Sequence, residues 1–157
     1  MNNLGSKRKF LVVVDDTPEC RKSLRFACHR ASKTNGKIAM LRVINAGDFQ
    51  HWVAVEERMR DEAREEAEQL LERLAIEVRE QWDLDIELVV SEGETYEAVL
   101  SHIESDSSIR ILVLGAASGG EGPGPLVTQL VEKNVSRMPI PITVVPGFLS
   151  DSEIDNL

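Results

Sequence analysis

Three groups of residues in this sequence have types and spacings that could do chemistry. The first is Asp15-Asp16, an acidic pair that closes the apolar run 10–14. Adjacent carboxylates at a strand end can hold Mg²⁺, which prefers oxygen ligands. The second is the stretch 116–124, built only of Ala, Ser, Gly, Glu and Pro, with Gly115 before it and Pro125 after it. Such a loop cannot hold regular structure. Where it opens a helix, it offers backbone N–H groups and the positive end of a helix dipole to a phosphate. The third group is the cysteines and histidines. Cys20 and Cys28 would lie about 12 Å apart along a shared helix, too far for a disulfide, so they read as buried small hydrophobes in a reducing compartment. His29, His51 and His102 are isolated, without a His-x-x-x-His or Cys-x-x-Cys pair, so each takes a surface or packing role and no metal site is expected. There is no Gly-x-Ser-x-Gly elbow, and no lysine follows the glycine loop as in a P-loop. The sequence therefore predicts a protein that is not an enzyme.

The elements that must position these residues can be read from periodicity. The chain has 157 residues, enough for one domain with a proper core. Its net charge of −9 argues against nucleic acid or an anionic membrane as partner. No apolar run is long enough to span a bilayer, and residues 1–9 lack the apolar core of a secretory signal. A cytoplasmic protein is the expectation. The apolar run 10–14 predicts the first strand. Thr17-Pro18-Glu19 then starts a helix as cap, first-turn proline and dipole-facing acid, and Asn35-Gly36 closes it. Residues 37–44 predict the second strand and 45–50 a loop. A long helix is expected over 53–81, with Met59, Ala63, Ala67, Leu70, Leu71, Leu74 and Val78 as its buried stripe. Its first half is dense in both charge signs, a solvated face laced with pairs such as Glu56–Arg60. Residues 85–90 predict the third strand. Thr95 reads as the cap of a short helix carrying Val99, Leu100 and Ile103.

The last unit, 109–145, reads as strand, glycine loop, helix and strand. Ile111, Leu112, Val113 and Leu114 form an unbroken apolar run, as in a strand buried on both faces, and Gly115 ends it. Pro125 suits a first helical turn, and Leu126, Leu130, Val131 and Val135 supply a stripe. Pro139 and Pro141 stop that helix, and Ile142, Thr143, Val144 and Val145 make the closing strand. The tail 148–157 is acidic and expected to fray, which divides the chain into a domain at 8–147 and a tail. Strands alternating with helices predict an α/β fold with a mostly parallel sheet. Ligands of such sheets bind beyond the carboxyl ends of the strands, here beside 15–17, 43–45 and 115–124.

These features resemble the universal stress protein family over nearly the whole chain. The apolar run into Asp15-Asp16-Thr17, the Val43-Ile44 strand end, the long charged helix and the Gly93 turn all match it. So do Gly115, Pro139-Ile140-Pro141 and the final β-branched strand. The resemblance implies a doubly wound, Rossmann-like sheet of five parallel strands in the order 3-2-1-4-5, of the adenine nucleotide alpha hydrolase-like type, and a homodimer. It also places Asp15 and Val43 at positions that contact adenine in binding members, though strand-end packing and capping account for them equally. The binders' Gly-x-x-Gly, nine residues, Gly-Ser motif falls on Gly115, Ser118 and Thr128-Gln129, so three of its four positions are altered. Thr17, Gly119 and Thr128 complete the candidate nucleotide site.

Within the loop, Pro123 and Pro125 lack N–H donors, and Glu121 puts a negative charge where a phosphate would sit. No Lys or Arg occurs between Gly115 and Gln129; Lys133 is a turn further on. One carboxylate about 4 Å from a phosphate costs on the order of 1 kcal/mol in water, and more in a cleft. Thr128 could replace one hydroxyl contact, and Mg²⁺ on Asp15 or Asp16 could offset charge. The expectation is a non-catalytic, dimeric stress-response or regulatory factor with a degraded nucleotide loop, binding ATP weakly or not at all. Two alternatives stand beside it. One is an ATP-binding member that hydrolyses slowly. The other is a degenerate response-regulator receiver, which Asp15-Asp16 resembles, although no Asp ends the third strand and no Lys precedes Pro146. Isologous pairing of the last strand, Ile142 to Val145, is the expected dimer contact, because it would cover an otherwise open edge.

Overall fold

The computed structural model describes residues 7–45 and 53–157. Residues 1–6 of the N-terminal stretch, 46–50 of the expected loop, and His51 lie outside the described residues. The elements alternate in chain order: β1 (Lys9–Val13), α1 (Pro18–Thr34), β2 (Lys37–Ile44), α2 (Val53–Gln81), β3 (Ile86–Glu92), α3 (Thr95–Ser105) and β4 (Ile109–Ala116). The short α4 (Pro125–Val127) runs into a π turn, Thr128–Glu132, and a 3₁₀ turn, Val135–Arg137. Then come β5 (Ile142–Pro146) and α5 (Asp151–Asp155).

All strand pairings are parallel, and the order is β3-β2-β1-β4-β5. The implied 3-2-1-4-5 sheet is therefore present. The receiver alternative is corrected by the same order, since a receiver winds 2-1-3-4-5. In addition, β3 ends in Ser91 and Glu92, not in an aspartate.

Strict alternation divides the apolar residues between two layers. Val12 and Val14 pack with Leu24, Ala27 and Cys28 of α1 and Leu70, Leu74 and Val78 of α2. Leu11 and Val13 pack with Val99 and Ile103 of α3, Leu112 and Leu114 of β4, and Leu130. Because β1 and β4 are covered on both faces over most of their length, the stretches 10–13 and 111–114 are apolar without a polar alternate.

The caps explain where α1 begins and ends. The Thr17 hydroxyl accepts from the Cys20 N–H at 3.3 Å, Pro18 occupies the first turn, and Asn35 turns left-handed at φ 55°. Elsewhere the structure corrects several sequence expectations. The cap of α3 is Glu94, whose carboxylate accepts from the Tyr96 and Glu97 N–H groups at 3.1 and 3.0 Å; Thr95 is the first helical residue. β3 runs on to Glu92 rather than stopping at Val90. Met59 is 38% exposed, because the N-terminal half of α2 extends past the sheet core. Val135 is exposed, because the π turn before it adds a residue and rotates the chain beyond it off an α-helical stripe; Val127, ahead of that turn, is buried.

The tail is not frayed. Ser150 and Glu153 form a reciprocal capping box, and Ile154 is fully buried against the α1 layer. Arg25 of α1 grips Asp155 through two hydrogen bonds, at 2.8 and 2.7 Å. Burial alone would raise the Asp155 carboxyl, but the Arg25 hydrogen bonds outweigh it and hold the carboxyl below its usual range.

Candidate functional site

β1 lies between β2 and β4, so the crossover through α1 leads to one side and the later return through α3 to the other. The carboxyl edge of β1 is therefore the switch point where open α/β sheets form a crevice. A cleft of about 520 Å³ opens there. Asp15, Asp16, Val43 and Gln129 line it, joined by Arg42 from β2 and by Glu66 and Arg73 from α2.

Asp15 and Asp16 leave β1 but take different partners. Asp15 accepts a hydrogen bond from the Thr17 hydroxyl, so the residue that caps α1 also fixes this carboxylate. Asp16 faces Arg21 at 3.9 Å, and Arg21 also pairs with Glu77 at 3.4 Å. Among the described residues, no three His, Cys, Asp or Glu side chains gather as a metal site.

The structure distributes the expected site residues over four neighbouring places. Asp15, Val43 and Gln129 meet in the cleft. Thr17 and Gly115 line an adjoining crevice of about 10 Å³ between α1 and α4, barely room for one water, which shares Asp15, Pro125 and Leu126 with the cleft. Ser118 and Gly119 are exposed and line neither. Thr128 stands on the π turn, where its N–H donates to the Gly124 carbonyl and its carbonyl accepts from Lys133 N–H. Backbone bonding explains why the glycine loop stands apart. The Ala117 N–H donates to the Pro123 carbonyl at 2.9 Å, and the Gly122 N–H to the Gly120 carbonyl at 3.2 Å, closing the loop on itself.

Gly115 does not end β4, which continues to Ala116; it pairs in register with Val145. A Cβ there would stand 2.2 Å from the Glu19 carbonyl oxygen. The glycine lets the first turn of α1 press directly onto the strand, a helix–strand packing role. Cys20 lies in that same turn, buried, and Cys28 lies two turns on. Burial pushes both thiols up to about 12.

Sequence reasoning missed the cations. The glycine loop has none, but Arg42 and Arg73 bring two from elements far away in the chain. Neither forms a salt bridge among the described residues. The first half of α2 is held over the cleft by Ala63 and Ala67, which pack on Ile44 and Val90. Arg60 adds contacts to Glu56 at 3.2 Å and Glu92 at 3.6 Å. Ala63, Glu66, Ala67, Leu70 and Arg73 share a helical face that borders the cleft, so the buried stripe there is flanked by Glu66 from the charged first half of α2 and by Arg73 beyond it. Their helical spacing was visible in the sequence; which strand ends lay under that face was not.

No curated protein is detectably similar to the chain by sequence. Solved structures share the fold. Universal stress protein UspA from Lactobacillus plantarum is 17% identical, with 90% of this chain and 99% of that one covered at a TM-score of 0.75. A universal stress protein in complex with cAMP is 15% identical, covering 91% and 99% at 0.62. A family protein from Arabidopsis thaliana with AMP bound is 16% identical, covering 88% and 91% at 0.63. The family model of the universal stress protein family matches residues 7–146, nearly the whole alternating sheet and its helices, and the chain belongs to that family.

Proposed function

We propose that this chain is a non-catalytic regulatory protein whose switch-point cleft takes an adenine mononucleotide in preference to ATP. The observation that carries the reading is that two arginines line the cleft while none of residues 116–124 does, although Pro125 and Leu126 just after them border it. Asp15 and Val43 stand where adenine could be read, and Arg42 and Arg73 supply positive charge for a phosphate. The loop that would wrap a triphosphate is closed on itself, with Glu121 exposed on it. No His, Lys, Cys or Ser lines the cleft among the described residues; its hydroxyl is that of Thr95 and its carboxylates are Asp15, Asp16 and Glu66. Two fold relatives that hold AMP and cAMP support the ligand class.

A second reading, an ATP-binding and slowly hydrolysing protein, draws support from the same two arginines. Calorimetric titration separates them. AMP should bind at least as tightly as ATP–Mg²⁺, and Arg42→Gln and Arg73→Gln should each weaken AMP roughly tenfold, the scale of one lost charge-assisted contact. Glu121→Lys with Ser118→Gly should improve ATP binding. Micromolar or better ATP–Mg²⁺ binding by the wild type, tighter than AMP, would refute the proposal.

We also propose that two copies pair through β5. Its inner edge is taken by β4, with Leu112 opposite Ile142 and Gly115 opposite Val145. Val144 is 37% exposed, and Thr143 and Ile142 are half-buried. Pairing two such edges antiparallel would satisfy both ladders. Sedimentation should give a dimer at micromolar concentration; a monomer would count against it.

A further inference from the structure

A second cavity, of about 800 Å³, opens at the amino-terminal edge of the sheet, where its Phe10 stands three residues, or about 10 Å, along β1 from Val13 of the first cleft. Arg8, Phe10, Phe26, Arg30, Arg110 and Thr143 line it. Its chemistry differs from that of the molecule around it. The chain carries a net charge of −9, yet among the described residues no Asp or Glu lines this cavity. Arg8, Arg30 and Arg110 form no salt bridge among the described residues. Lys9 also borders it, but its ammonium is already held by Glu87 at 2.6 Å and by Asp106.

A backbone irregularity aims one of these arginines. β4 carries a bulge against β1, where Lys9 pairs with Ile109 and Phe10 pairs with Ile111, so Arg110 is the extra residue. The bulge switches faces: Ile109 packs in the α3 layer and Ile111 in the α1 layer. Arg110 and Ile111 consequently both border the cavity, where simple alternation would have put them on opposite faces. Arg30 stands over the Phe26 ring, 5.5 Å from its centroid, so an apolar wall and a cation are presented together.

We propose that this cavity binds a small planar organic anion. Its flat apolar body would lie against Phe26 and Ile111, and its single anionic group, carboxylate or phosphate monoester, would face Arg30 and Arg110. The volume is that of a small-molecule site, and the net negative charge of the protein disfavours an extended polyanion. The site is independent of the nucleotide reading, because the two share no lining residue.

The test is amide NMR of the full chain titrated with 2-naphthoate, with neutral 2-naphthalenemethanol as comparison. Saturable shifts are expected at Phe26, Arg30, Arg110 and Thr143, in the submillimolar range for the acid and at least tenfold weaker for the alcohol. Arg110→Gln should weaken naphthoate roughly tenfold, as removal of a charge-assisted hydrogen bond does, and leave the alcohol unchanged. Arg8→Gln, at an exposed position before β1, should weaken naphthoate several-fold and serves if Arg110→Gln fails to fold. Any of four results would overturn the proposal: no saturation at millimolar naphthoate, equal affinity for the alcohol, indifference to both substitutions, or shifts confined to Asp15, Val43 and Gln129.

Discussion

Replacing Gly115 with alanine tests whether this glycine serves packing or a phosphate. The added Cβ would stand 2.2 Å from the Glu19 carbonyl oxygen and 2.6 Å from its carbon. An ordinary carbon–oxygen contact is about 3.3 Å or more, so strand and helix must separate by roughly 1 Å. Both obstacles are backbone in the first turn of α1, and Gly115 is tied in register to Val145, so no side chain can simply swing away. Overpacking usually costs about 1–3 kcal/mol, and a backbone-on-backbone clash belongs at the upper end, about 3 kcal/mol. With a urea slope of about 2 kcal/mol per molar, the unfolding midpoint should fall by about 1.5 M. Gly120→Ala is the control. Its Cβ meets nothing within 4 Å and its φ is not positive, so its midpoint should move by less than about 0.3 M. A Gly115→Ala midpoint within about 0.5 M of the wild type would refute the packing argument. If that stable variant had also lost AMP binding, a ligand role for Gly115 would replace it.

Packing and charge give three further predictions. Ile154→Ala should lower stability by about 2–4 kcal/mol in urea unfolding, because the side chain is fully buried; an effect under about 0.5 kcal/mol would mean that α5 does not dock in solution. Cys20 and Cys28 should resist alkylation in the native protein at pH 8 and react quickly in denaturant, since both are buried with thiols near 12; rapid native labelling of both would contradict that burial. Hydrogen bonds from Lys9 and Ser108 hold the Asp106 carboxyl down at about 2, from 3.8. A depressed carboxylate stabilises the fold above its unfolded value, and that contribution disappears as pH falls from about 4 to 2. Urea midpoints should fall more steeply over this range for the wild type than for Asp106→Asn, and parallel curves would dismiss the effect. On the partner side, burial alone would lower the Lys9 ammonium, but its bonds to Asp106 and Glu87 outweigh this and raise it.

The strand and helix order was legible because each element carries a local signal. The apolar runs of β1 and β4 report burial on two faces, and Thr17-Pro18 and Asn35-Gly36 mark the ends of α1 through backbone chemistry that acts within a few residues. Local signals misled where a remote contact decided the outcome. The tail looked too acidic to order, yet Arg25 neutralises Asp155 and the α1 layer covers Ile154. Gly115 read as the glycine that ends the strand and opens the nucleotide motif, although its reason is a helix turn nearly 100 residues earlier in the chain. The loop lacked a cation in sequence, and the fold brought Arg42 and Arg73 to the cleft from β2 and α2. By itself, then, the sequence determined the alternating elements, the caps of α1 and the family. Tertiary structure decided which side chains face one another, because that depends on strand order and helix placement, which no short window of sequence contains.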